Sequence, residues 1–417
     1  MTLEAADGAA ALALFQKLAA PESAEAAARL TLLSEFFAER SLHVERFEAE
    51  PSLPALVVRS AAAESLASSE PLGSPGVVEP SGAAAALRFI APLTGQGAPH
   101  AADLAAFAAL FAALARDAAR PLAFVALAED GAGRQRGARA LAEAHPELLK
   151  ASGAVLTPSP ERPFDFEALQ VFPLVAAFKG RARITLSAAG EPASAGHPSP
   201  AHAACRLTRG VLRLCNQPLP VHLTAEARRM FYGLRRASGP FALNLLGAGP
   251  RLADMAISGA LADRPLRPAL DAALRNTVAP LDLALDAPAL AGDVPAAGRA
   301  TLDARLLPGQ EVSHLLFELR AILDDAQLEL SADDACSPKS APTDTPLFQS
   351  LARAIAAQAL SARLVPWVSA RVPDAALFGR AGAPLYGLPL AGDPAGDELA
   401  RTAWLKSIEA LLAGLTA

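Results

Sequence analysis

Cysteine is scarce: three residues, Cys205, Cys215 and Cys336, in a chain of 417. Thiols so few, odd in number and widely spaced exclude a disulfide framework and a cysteine-rich zinc knuckle, and they fit a reducing compartment. Basic charge is also in short supply. Lys and Arg number 37 against 43 Asp and Glu, a net charge of −6. The sequence therefore lacks the electrostatic footprint of a nucleic-acid or anionic-membrane binder, and a small molecule or another protein is the expected partner. Residues 1–10 carry Glu4 and Asp7 where a signal peptide needs basic residues ahead of an apolar run, so the expected location is the cytoplasm. The most apolar stretch, residues 104–115, is too short and too Ala-rich for a bilayer span. Seven histidines, at 43, 100, 145, 197, 202, 222 and 314, show no zinc-binding spacing.

What is present is apolar. Hydrophobic residues make up 52% and charged residues 19%, the composition of a globular protein. The length favours two or three domains. Abundant Ala, Leu and Arg suggest a GC-rich bacterial genome, and the Ala inflates apparent helix propensity.

Periodicity organises the first half as alternating helices and buried strands. Helical spacing runs over residues 9–40 around a break at Pro21. Strand-like runs follow at 42–47, 55–59, 87–90 and 122–127, with helices at 101–118 and 137–149. Residues 60–82 are rich in Ser, Pro, Gly and Glu without periodicity, which reads as an exposed loop. This order predicts an α/β domain, a parallel sheet with helices on its faces. From about residue 172 the texture changes. A strand at 174–188, a helix at 201–214, a strand at 300–306, a helix at 312–323 and a strand at 327–330 predict an inserted α+β sandwich, with extra helices at about 219–276. A helix at 346–360, a strand at 383–386 and a helix at 398–412 return to the first texture. The expected division is residues 1–173 with 334–417 for the α/β domain and 174–333 for the inserted domain.

Several segments, in this order, resemble one family. Leu274-Arg275-Asn276-Thr277-Val278-Ala279-Pro280, Gly292-Asp293-Val294-Pro295 and Leu302-Asp303-Ala304-Arg305-Leu306-Leu307-Pro308-Gly309 carry the strongest likeness. Ala176-Ala177-Phe178-Lys179-Gly180 and Leu385-Tyr386-Gly387-Leu388-Pro389 add to it. They are similar to the zinc-dependent aminoacylase and carboxypeptidase family of metallopeptidases. In particular they resemble its carboxypeptidase S-like branch, in the acetylornithine deacetylase and succinyl-diaminopimelate desuccinylase group. The resemblance spans nearly the whole chain. It implies a catalytic α/β domain, an inserted lid through which two copies associate, and a two-zinc site.

The resemblance also assigns residues. Asp103, opening a helix, stands at the place of the bridging metal ligand, although Ala105, Ala106 and Phe107 replace the usual glycines. Glu129 and Asp130, after a strand, resemble the general base and a metal ligand respectively. Arg275 resembles a lid residue that contacts a substrate carboxylate, with a structural salt bridge as the competing role. Ser194 falls near the lid's substrate-contacting His, and His197 is a neighbour able to compensate. The other ligands of a two-zinc centre are missing. Pro92 and Thr94 stand where a His-x-Asp motif belongs, Thr157, Pro158 and Ser159 where an acidic ligand belongs, and Asp393-Pro394 where a terminal His belongs. His100, three residues before Asp103, is the one histidine placed to substitute.

Three readings follow. The first is a degenerate homologue of a zinc-dependent amidohydrolase or exopeptidase, holding no zinc or binding it weakly, that binds an acyl-amino-acid or peptide-like ligand, or a partner. The second is an active metallo-amidohydrolase or peptidase with an atypical site around Asp103, Glu129 and Asp130. The third is metal-free chemistry through Ser194, His197 and Arg275.

Overall fold

The computed structural model describes residues 4–48, 53–63, 86–95, 97–116, 120–129, 135–150, 153–190, 193–194, 196–197, 199–235, 242–259, 261, 264–287, 293–379 and 383–416. Most of the expected loop at 60–82 lies outside them. The chain forms two compact units. One comprises Met1–Ala176, Ser340–Trp367 and Pro373–Ala417, the other Ala177–Lys339 and Val368–Val372.

The first unit opens with two helices, α1 (Ala5–Ala19) and α2 (Ala26–Ala38). Leu14, Phe15 and Leu18 of α1, and Leu30, Leu33 and Phe37 of α2, recur at three- and four-residue intervals, so each helix buries one stripe. The sheet then follows as β1 (Val44–Glu48), β2 (Pro54–Arg59), β3 (Ala86–Pro92), β4 (Leu122–Leu127), β5 (Gly153–Pro158), β6 (Phe164–Phe166) and β7 (Leu169–Phe178). Between β3 and β4 runs α3 (Ala98–Ala115), and between β4 and β5 runs α4 (Arg136–Ala144). β4 pairs parallel with β3, and β3 parallel with β5, while β2 closes the other side of β4 antiparallel.

Every residue of β4 is buried, as expected of a parallel strand covered on both faces. The core is aromatic at its centre. Phe37 lies 5.0 Å from Phe124 and 5.7 Å edge-on from Phe111, and Phe89 meets Phe107 and Phe111 at 6.0 Å. Such tilted and edge-to-face contacts are the favoured geometry of aromatic rings. α3 is long and apolar enough to cross a membrane, but 72% of it is buried within the unit. It is buried on nearly every face because α1 packs against it as well as β3, β4 and β5.

The second unit holds an antiparallel sheet and two kinds of helix. Its strands are β8 (Gly180–Ala189), β9 (Thr277–Leu285), β10 (Ala297–Leu306) and β11 (Leu328–Cys336), in the order β9-β10-β8-β11. Ala182, Ile184, Leu186 and Ala188 of β8 are buried. They share a core with Leu207 and Leu214 of α5 (Ala203–Asn216) and with Leu315, Leu319 and Leu323 of a helix at Val312–Leu323. The alternate residues Arg181, Arg183, Thr185 and Ser187 occupy the opposite, polar face. Between α5 and β9 lie α6 (Ala225–Arg235), α7 (Ala242–Leu246), α8 (Pro250–Ser258) and α9 (Arg267–Leu274). The helix Val312–Leu323 is therefore α10.

Back in the first unit are α11 (Pro346–Ala356), β12 (Ala362–Ser369), β13 (Leu385–Leu388) and α12 (Glu398–Thr416). β13 pairs parallel with β5 and antiparallel with β7. The architecture is α/β, with a parallel-strand sheet and helices on its faces. The run expected as one strand at 174–188 is two, β7 and β8, parted at Lys179, whose N–H donates to Ser369 O at 3.0 Å. β9 was not expected as a strand: it is an edge strand with five consecutive exposed residues and Pro280 within it, although Leu281, Leu283 and Leu285 alternate along it.

Candidate functional site

The carboxyl ends of β3, β4, β5 and β13 fall on one edge of the sheet, because these four strands run in parallel. Ligand sites of open α/β sheets form at that edge. Beyond β3, Leu93 is buried, its N–H donating to Leu127 O at 2.7 Å. The buried Arg29 of α2 reaches up and donates through Nη1 to Leu93 O and Gly95 O, each at 2.8 Å. The His100 ring packs so tightly on Gly95 that a Cβ there would lie 2.5 Å from Nδ1. Burial first, and then the Arg29 charge, push His100 down to about 4, so it is a neutral packing residue at pH 7.

Asp103 lies one turn further along α3. Arg162, on the turn after β5, grips its carboxylate bidentately, Nη1 to Oδ1 at 2.6 Å and Nη2 to Oδ2 at 2.8 Å. Nη2 also faces Pro99 O at 3.4 Å. The Asp103 side chain is 14% exposed and that of Arg162 38%. Burial pushes Asp103 up to about 6 despite the opposing pull of Arg162. The turn carrying Arg162 is fixed by Ser159, whose N–H donates to Leu388 O at 2.9 Å and whose hydroxyl accepts from Glu161 N at 3.0 Å.

Glu129 follows β4 and is buried. Its N–H donates to Thr94 Oγ1 at 3.3 Å. Its carboxylate accepts from Gly137 N at 3.2 Å and from Ala138 N at 2.8 Å, capping the start of α4. Position 137 must be glycine, since a Cβ there would lie 2.1 Å from Ala128 O. Asp130 lies outside the described residues.

These donors fit a pair of zinc ions poorly. Both oxygens of Asp103 serve Arg162, both of Glu129 serve backbone amides, and the adjoining strand ends offer Pro92, Thr94, Thr157 and Pro158. Among the described residues no group of three or more His, Cys, Asp or Glu side chains is placed to hold a metal ion. Zinc sites need three or four such ligands.

The residues singled out in the second unit fall apart. Ser194 and His197 are exposed on one turn, where His197 N donates to Ser194 O at 3.0 Å and Gly196 N to Ser194 Oγ at 3.2 Å. Arg275 is buried elsewhere. Its Nε donates to Asp271 Oδ1 at 2.7 Å, Nη1 to Leu219 O and Nη2 to Asp254 Oδ1. Its own carbonyl accepts from the buried Lys179 Nζ at 2.6 Å. Asn276 beside it bridges Glu318 and Leu307 N, and Glu318 meets His222 Nε2 at 2.5 Å. No described hydrogen bond or ion pair joins Ser194 or His197 to Arg275. Sequence reasoning missed Arg162 and Arg29. Neither has a spacing signal, since each meets its partner about 60 residues away.

No family model and no curated protein matches this sequence. Solved structures do match, over almost the full length. An aminopeptidase PepT from Bacillus cereus superposes with a TM-score of 0.59 at 12% identity, covering 98% of this chain and 99% of that one. An M20 family metallo-carboxypeptidase from Sulfolobus solfataricus gives 0.58 at 13%, covering 96% and 98%. A dinuclear metal binding peptidase of the M20 family from Bacillus subtilis gives 0.54 at 10%, covering 99% of each chain. The chain thus has the fold of the M20 metallopeptidases and their amidohydrolase kin.

Proposed function

We propose that this protein is a degenerate relative of the M20 amidohydrolases that binds an acyl-amino-acid or peptide-like ligand without two-metal hydrolysis. The observation that carries the reading is the donor set at the strand ends: the two described carboxylates there, Asp103 and Glu129, already have intramolecular partners, and prolines and threonines fill the flanking places. The ligand class is taken from the structural neighbours, which are named as dipeptidases, tripeptidases and carboxypeptidases. The second reading, an active hydrolase with an atypical metal site, is favoured by the survival of a carboxylate pair at the right edge of the sheet.

Two copies associate in this proposal. β9 leaves Leu281, Leu283 and Leu285 exposed at a sheet edge, and Phe317 of α10 is 74% exposed. An unpaired edge with apolar side chains favours addition of another chain. The three free cysteines suit a cytoplasmic setting. The test is a panel of dipeptides and N-acyl amino acids assayed with zinc, manganese or cobalt added. No release of free amino acid is expected, with saturable binding of at least one panel member by calorimetry. Turnover that Glu129→Gln abolishes contradicts the reading.

A further inference from the structure

We propose that the chain itself supplies the positive charge at this site: Arg162 stands where a cation would neutralise Asp103, and the amino terminus of α4 holds the buried carboxylate of Glu129 at the general-base position. The inference rests on the reading above and explains how a two-carboxylate site persists without zinc.

A carboxylate at 14% exposure is costly unless a positive group meets it. In a metal centre that group is the ion. Here a planar guanidinium meets both oxygens at 2.6 and 2.8 Å, the fork geometry that matches a carboxylate. The turn bearing Arg162 leaves the end of β5, beside the strand ends where the family likeness puts an acidic ligand, and it is anchored to β13 through Ser159. The guanidinium thus comes from the loop that would otherwise supply a ligand, and it reaches across to α3. Glu129 shows the same logic with a different device. Two amide N–H groups at the start of a nine-residue helix carry partial positive charge, and they take both oxygens. The clearance at Gly137 allows that approach.

Removing Arg162 should therefore uncover a carboxylate that a free cation can serve. The experiment compares melting temperatures of the full chain and the Arg162→Ala, Arg162→Lys, Asp103→Asn and Asp103→Asn/Arg162→Ala variants, each with chelator and with millimolar magnesium or zinc. The wild type is expected to be insensitive to the cations. Arg162→Ala is expected to melt several degrees lower and to regain part of that loss with cation. The double variant should melt higher than Arg162→Ala and show no cation response, and Arg162→Lys, which keeps the charge but loses the fork, should melt between Arg162→Ala and the wild type. Should Arg162→Ala fail to fold, recovery of a cooperative melt in the double variant carries the same information. Additive losses in the double variant, or an Arg162→Ala melt that ignores cations, overturn the substitution. A cation-dependent rise in the wild type that Asp103→Asn removes overturns the metal-free reading instead.

Discussion

Lys179 is 1% exposed, and its amine donates to the Arg275 carbonyl at 2.6 Å. Burial, opposed by the Asp271 charge and aided by that of Arg305, brings it down to about 7. Below pH 7 the amine is charged in both the folded and the unfolded chain. Between about 7 and the ordinary lysine value near 10.4 the unfolded chain binds the extra proton, so stability rises with pH across that window. Lys179 should contribute about 2 kcal/mol of that rise between pH 7 and 9. Denaturant melts of Lys179→Met over this range are expected to lack the increment; an identical slope in variant and wild type would remove Lys179 as its source. At this scale the sequence was partly legible. Asp103 and Glu129 were legible as site residues through the family resemblance; Asp103, expected to open its helix, stands in the second turn of α3, which begins at Ala98. Arg162 was not legible as the partner of Asp103, because the two are 59 residues apart and meet only once β5 is laid beside β3, whereas Glu129 reaches the α4 amides only 8 and 9 residues on. Arg275 illustrates the same limit: its residue type suits a ligand or a salt bridge, and only the fold brings Asp254 and Asp271 to it.

Among elements, the junction of β4 and α4 is the most constrained. A methyl group at position 137 must displace either Ala128 O or the helix start, so Gly137→Ala is expected to destabilise by more than about 2 kcal/mol. Glu129→Ala removes the cap from the same helix and is expected to cost about 1 kcal/mol. Equilibrium unfolding in urea reads both, and a ranking with Glu129→Ala the more damaging would show that the cap, not the close approach, governs the junction. Buried strands and amphipathic helices were legible because burial on one or both faces writes a period into the sequence. β9 was not, being an edge strand with a bulge between Pro280 and Asp282. The break at Lys179 escaped for another reason: a buried lysine reads as an interruption only once its hydrogen bonds are seen.

At the scale of the whole molecule, each of the two units has a large core of its own. One surrounds the phenylalanine cluster of the parallel sheet, and the other fills the space between β8, β10 and the helices α5 and α10. The exposed leucines of β9 set the expected assembly: light scattering at micromolar concentration should give twice the chain mass of 42.8 kDa, and Leu283→Asp should shift it toward the monomer. A monomer in the wild type would leave those leucines without the role proposed for them. The central claim is that the centre at the strand ends is neutralised by the chain itself. Its most direct test is the metal content of protein purified without chelator or affinity metal, measured by elemental analysis after equilibration with a modest excess of zinc and desalting. The account predicts well under one zinc per chain. Two zinc ions per chain, lost together in Asp103→Ala, would contradict it.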